Sequence, residues 1–209
     1  MSLDPARIHA QFLDIAAGVG PRLVVGLSRA GPVDFPKRGR ERLSWFLCRT
    51  VNAQLLSAAA ARSIWGRVED LSKARAVAIP DLFTPRNTEA VRACGVSRSK
   101  AKTMIGIRAA ERAGKLDARA IRRMSVEART AHLSQLWGIG QWTCDIASLF
   151  YCREPDMWPE GDVAAQRMFR ALIGRRKPDR TAARFVPYRS YLALAMWRLV
   201  GIDRNEQSL

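Results

Sequence analysis

Residues 133–145, Leu133-Ser-Gln-Leu-Trp-Gly138-Ile-Gly140-Gln-Trp-Thr-Cys-Asp145, constrain the fold more than any other stretch of the chain. A Leu-x-Gly-Ile-Gly turn between two segments of helical periodicity predicts a helix-hairpin-helix over about 125–151. The two glycines permit a tight turn and let backbone N–H groups approach a phosphate, with a helix N-terminus behind them. Gly138, Ile139 and Gly140 are therefore candidate anchors for a nucleic-acid backbone. About one helix later, Pro159-Glu-Gly-Asp162 sets a carboxylate at the start of another helical segment. The pairing points to a chain that grips a DNA backbone and holds an acidic group for chemistry close by.

Composition agrees with that reading. Of 209 residues 48% are hydrophobic, enough for one compact domain or two closely packed lobes. Lys and Arg number 35 against 19 Asp and Glu, a formal net charge of +16. That excess favours a polyanionic partner, most commonly nucleic acid. A general basic bias is the plainer alternative, because Arg and Ala run high throughout. Cys48, Cys94, Cys144 and Cys152 form no C-x-x-C pair, and neither His9 nor His132 adjoins one of them. This spacing predicts no side-chain metal site and no iron–sulfur cluster, only reduced and mostly buried thiols. No signal sequence and no apolar run of transmembrane length is present, so the expected location is cytoplasmic, nucleoid-associated if bacterial, with no membrane partner.

Helical patterning runs almost the whole length, and no stretch alternates long enough to demand a sheet. Asp4-Pro5 starts a helix that Gly18-Val-Gly20-Pro21 ends, and a Gly-, Pro- and Arg-rich loop covers Gly31 to Arg40. One long helix is predicted from about Glu41 to Val68. Thr84-Pro85 opens a helix that closes at Cys94-Gly95. Ser97 caps a basic helix to Ala113, Asp117 caps another, and Ser125 caps the first helix of the hairpin. The second hairpin helix runs from Gln141 to about Tyr151, Asp162 starts the next, and Pro187 opens a last helix to about Val200. The expected fold is all-α, without internal repeats or low-complexity linkers.

Four segments resemble the helix-hairpin-helix DNA glycosylase superfamily, most closely its 3-methyladenine DNA glycosylase II branch, over roughly Arg42 to Val200. Val51-Asn-Ala-Gln54-Leu55-Leu-Ser57 is similar to the branch's Gln-x-x-Ser helix. Ala93-Cys-Gly-Val-Ser97-Arg-Ser-Lys100-Ala-Lys102 is similar to its Gly-hydrophobic-Ser-x-x-Lys-Ala segment. The hairpin is the third, and Pro159-Glu-Gly-Asp162 with Pro187-Tyr-Arg189-Ser190-Tyr-x-Ala-x-x-x-Trp197 the fourth. The resemblance implies a compact two-lobed helical bundle spanning 1–209 as one domain, a cleft between the lobes, and a monomer acting on double-stranded DNA that carries a damaged base.

It also implies residue roles. Asp162 is the catalytic aspartate; read from its position alone, an ordinary helix N-cap would suffice. A fixed carboxylate stabilises positive charge on the sugar as an N-glycosidic bond breaks, and can orient water. Trp142 takes the place of a pocket tryptophan and also of the lysine nucleophile of strand-cutting relatives, so a monofunctional enzyme is expected. Phe185 and Tyr188 fall where further pocket aromatics lie, with core packing the alternative. Leu55, after Gln54, matches the wedge that fills the gap left by a flipped base, although a leucine in a long helix is more often core. Lys100, Lys102 and Arg189 are candidates for phosphate contact or for a solvated basic face. The carbonyls of Trp137 and Ile139 are candidates for a hairpin-bound monovalent cation.

A lone carboxylate suits a base alkylated at N3 or N7, which is already cationic, leaves without prior protonation and stacks on electron-rich rings. Ala53 and Trp137 depart from the branch's pattern without removing a group the chemistry requires, whereas Gly161 implies a looser or differently shaped turn before Asp162, and Ile146, where some relatives carry a tyrosine, a thinner aromatic cage. Three other readings stay open on the sequence: a glycosylase for a neutral deaminated or mismatched base, an inactive DNA-binding module, and a structural protein with an incidental basic face.

Overall fold

Short capped helices follow one another along the chain. The structure, a computed structural model, describes residues 3–37, 39 and 41–206; Arg38 and Arg40 of the expected basic loop lie outside them. Among the described residues there are thirteen α-helices and no strand. Among them, too, no helix is long and apolar enough to cross a membrane. The helices gather into two compact units, one made of Met1–Lys37 with Arg153–Leu209 and the other of Arg38–Cys152.

The first unit holds α1 (Pro5–Ala17) and α2 (Pro21–Ala30) from the N-terminal part of the chain. Asp4 caps α1 through Ala6 N–H at 3.0 Å, and Pro5 sits where a missing N–H costs nothing. The stop expected at Gly18–Pro21 is real, but Pro21 also opens α2 at once, a helix that the sequence patterning does not announce.

The second unit begins with α3 (Leu43–Ala53), followed by α4 (Ala58–Ala74). The single helix expected over 41–68 is thus two helices. Ser57 Oγ accepts from Ala60 N–H at 3.2 Å and starts a new helix, and Leu55 turns the chain with φ +56°. With neither Gly nor Pro between Leu43 and Ser57, periodicity alone could not mark the break. After α5 (Ile79–Leu82), Thr84 caps a single 3-10 turn, Pro85–Asn87, ahead of α6 (Thr88–Ala93). Ser97 then caps α7 (Arg98–Arg112), which packs on α3 and buries Met104 and Ile107 completely.

Asp117 caps α8 (Ala118–Arg123), accepting from the N–H groups of Arg119 and Ala120 at 2.7 and 2.8 Å. Ser125 caps α9 (Val126–Leu133), and α10 (Gln141–Ile146) follows the glycine turn. The second hairpin helix changes to π-helical winding over Ala147–Cys152. Buried Arg129 on α9 donates to the carbonyls of Ile121 and Met124, closing the C-terminus of α8 and fixing the hairpin to it.

The chain then returns to the first unit with α11 (Val163–Ile173), α12 (Pro178–Ala182) and α13 (Arg189–Glu206). Helices α5 and α12, like α2, are elements that the sequence patterning does not announce, and α13 extends beyond the expected end at Val200. The core there is aromatic: Phe12 meets Phe185 edge-on at 4.9 Å, and Trp158 meets Phe169 at 5.0 Å.

Candidate functional site

Asp162 ends the Pro159–Gly161 turn as the N-cap of α11 and is 8% exposed. Its Oδ1 accepts from Ala165 N–H at 2.8 Å and from the indole Nε1–H of Trp197, on α13, at 2.9 Å. The cap alone would orient one face of the carboxylate; the indole adds a second direction and holds the group rigidly at the positive end of an eleven-residue helix. Sequence reasoning brings in Trp197 only as part of a motif. The signal for its role is the pairing of that motif with the Asp162 turn.

The hairpin turn is built around Gly138, whose φ of +81° lies in the left-handed region. A Cβ there would stand 2.1 Å from Thr103 Oγ1 on α7, so the position excludes every side chain. Gly140 is extended, with open space where a Cβ would stand, and its carbonyl accepts from Cys144 N–H at the start of α10. Ile139 is buried and seats the loop, while Trp137 stands out on it, about half exposed, with Lys102 Nζ 4.2 Å from its ring centre.

Gln54 ties this hairpin to the α3–α4 turn: its Nε2 donates to Gly138 O at 3.1 Å and to Thr143 Oγ1 at 2.9 Å. Beside it Leu55 is fully exposed, and Leu56 partly so. The expected wedge therefore stands at the tip of a turn rather than inside a helix.

The remaining residues separate into open and committed groups. Trp142 is half-buried in the first turn of α10, and Tyr188 is half-buried with its ring edge-on to Tyr191 at 6.2 Å. Phe185 is not a surface for a base: fully buried between Phe12 and Phe169, it belongs to the core, which corrects the pocket expectation. Two of the basic candidates need the same correction. Arg189 grips Asp156 through Nε and Nη2, both at 2.8 Å, with its own N–H on Oδ1 at 3.1 Å, so it closes the 153–157 segment onto α13. The Arg189 hydrogen bond, more than the charge, holds the Asp156 carboxyl below its ordinary value.

Lys100 directs Nζ to the carbonyls of Asn52 and Gln54 at 2.9 and 2.8 Å, and burial lowers its pKa. Of the three basic candidates, Lys102 alone extends over an exposed surface. Burial, then the Asp145 charge, pushes the Cys144 thiol up to about 11, which leaves it protonated and unsuited to nucleophilic attack. Among the described residues no three His, Cys, Asp or Glu side chains gather as a metal site.

No protein-family model matches the chain. By sequence it is 29% identical over 210 residues to DNA-3-methyladenine glycosylase 1 of Schizosaccharomyces pombe, covering 94% of this chain and 87% of the yeast protein. In structure it is similar to the S. pombe 3-methyladenine DNA glycosylase solved with abasic DNA, with a TM-score of 0.77 and 22% identity over 90% of this chain and 95% of that one. It is also similar to a Bacillus halodurans DNA-3-methyladenine glycosidase, with a TM-score of 0.71 and 26% identity over 95% and 91% of the two chains. The glycine hairpin and the capped aspartate thus sit in a chain that is similar in sequence and in fold to 3-methyladenine DNA glycosylases.

Proposed function

We propose that the chain is a base-excision DNA glycosylase that flips an alkylated purine of the 3-methyladenine type out of duplex DNA and hydrolyses its N-glycosidic bond. The observation that carries this reading is Asp162, a buried carboxylate oriented by both a helix N-terminus and the Trp197 indole. As the bond lengthens, its electron pair moves to the departing base, neutralising the alkylated cation, and positive charge grows on the sugar. Asp162 faces that charge electrostatically and guides a water to C1′; the water's proton passes to solvent as the sugar hydroxyl forms.

The other roles follow from placement. Gly138 and Gly140 present the backbone N–H groups that hold a phosphate, whereas Ile139, the third expected anchor, gives its N–H to Leu136 O and seats the turn. Lys102 and exposed Trp137 flank that turn. Leu55 enters the stack where the base has left, and Trp142 and Tyr188 each offer an aromatic face to a cationic purine. Leu136 O and Gly138 O are hydrogen-bonded to Ile139 N–H and Gln54, whereas the carbonyls of Trp137 and Ile139 lie outside the turn's hydrogen bonds, an alternation that fits a monovalent cation. Bound there, the ion would add positive charge beside the phosphate.

Trp142 offers no amine for a Schiff base, so water is the nucleophile and the DNA strand stays intact. An enzyme of this kind works as a cytoplasmic protein on the genome. Base release from methylated and from deaminated duplexes, with borohydride trapping alongside, tests the reading. Release from methylated DNA with no trapped adduct is expected. Preferential release of uracil or hypoxanthine would select the neutral-base alternative, and a trapped adduct would contradict the monofunctional assignment.

A further inference from the structure

Leu55 poses a physical problem. A branched side chain in left-handed backbone conformation is disfavoured, and one wholly in water gains no burial in return. A turn that presents such a residue must be held from behind. Three contacts within the same unit do so. Lys100 lies in the first turn of α7, where Ser97 Oγ accepts its N–H at 3.3 Å, and its Nζ reaches the carbonyls of Asn52 and Gln54 at 2.9 and 2.8 Å. These carbonyls lie at the C-terminal end of α3, where the helix dipole is negative and a cation is favoured. Asn52 Nδ2 donates to Ala61 O at 2.8 Å, fastening the start of α4, and the Gln54 amide fastens the turn to the hairpin.

We infer that Lys100 is a positioning residue for base excision: by bridging the carbonyls of Asn52 and Gln54, its ammonium fixes the turn that holds Leu55 out as a wedge, in place of binding a DNA phosphate. The inference rests on the glycosylase reading above. It differs from a phosphate contact in a measurable way. A phosphate-binding lysine weakens duplex affinity and lowers the salt slope when removed, whereas a positioning lysine acts only through Leu55.

The test is a double-mutant cycle in single-turnover excision from a methylated duplex, using wild type, Lys100→Met, Leu55→Ala, the double variant, and Lys100→Arg, with the same lesion in a single strand as a second substrate. Lys100→Met and Leu55→Ala should each slow duplex excision by about 10- to 100-fold, and the double variant should be no slower than Leu55→Ala. Lys100→Arg, which keeps the charge and the donors, should recover most of the rate. Lys100→Met should keep the wild-type salt slope and change single-strand excision little, because no base has to leave a paired stack. If the methionine variant does not fold, Lys100→Gln, which keeps a donor but no charge, runs the same cycle.

Multiplicative slowing in the double variant, a reduced salt slope, or equal slowing on the single strand would overturn the inference. Normal wild-type excision with an unaffected Leu55→Ala variant would overturn it by removing the wedge alone. Absence of wild-type excision would remove the glycosylase reading and the inference together.

Discussion

At the scale of single residues, the site depends on side chains whose surroundings allow one role each. Gly138 combines φ +81° with a Cβ position 2.1 Å from Thr103 Oγ1, so Gly138→Ala must displace both the turn and α7. Chemical denaturation should show a loss of about 1–3 kcal/mol, together with weaker duplex binding. Unchanged stability and binding would mean that the turn is not a rigid anchor. Phe185 separates core from pocket in a similar way. Truncation to Ala should cost about 3–5 kcal/mol in the same experiment, while Phe185→Leu should excise at the wild-type rate per folded molecule. A leucine variant with altered base preference and unaltered stability would place the ring against the substrate instead.

At the scale of elements, the caps were legible in the sequence and the interruptions were not. Asp4, Ser57, Ser97, Asp117, Ser125 and Asp162 all accept from backbone N–H groups of the helices they open. All but Ser57 could be read from residue type and spacing. The break at Gln54–Ser57 escaped because a helical period continues through it, and the conformation of Leu55 is imposed by Lys100 and Gln54 through contacts with distant parts of the chain. For the same reason Lys100 and Arg189 read as surface cations: a sequence shows charge, not the carbonyl or carboxylate it meets. Hairpin and aspartate were legible because both depend on local chemistry, a glycine turn and a helix start.

The Asp156–Arg189 pair belongs to this scale, since it fastens the 153–157 segment to α13. Asp156 titrates below its ordinary 3.8 in the folded protein, so its stabilisation is complete above that pH and fades as pH falls through the lowered value. The melting temperature of the wild type should therefore drop towards that of Asp156→Asn below about pH 4, where the difference between the two closes. A constant difference down to about pH 2 would deny the pair its ionic character.

For the whole molecule, a net charge of +16 predicts duplex affinity that falls linearly on a log–log plot against salt. Titrations from about 50 to 200 mM salt should show a loss of at least roughly tenfold, and a flat line would make the basic surface incidental. The hairpin and Leu55, proposed as grip and wedge, belong to Arg38–Cys152, and Asp162 belongs to the other unit. Removing the carboxylate should accordingly abolish chemistry and spare binding. The most direct measurement is chromatographic detection of free 3-methyladenine from methylated duplex DNA, comparing wild type with Asp162→Asn. Release by the wild type, its loss in the variant at unchanged duplex affinity, and an intact strand are the predicted results. Equal release by both proteins would contradict the assignment of Asp162, and no release by either would contradict the glycosylase itself.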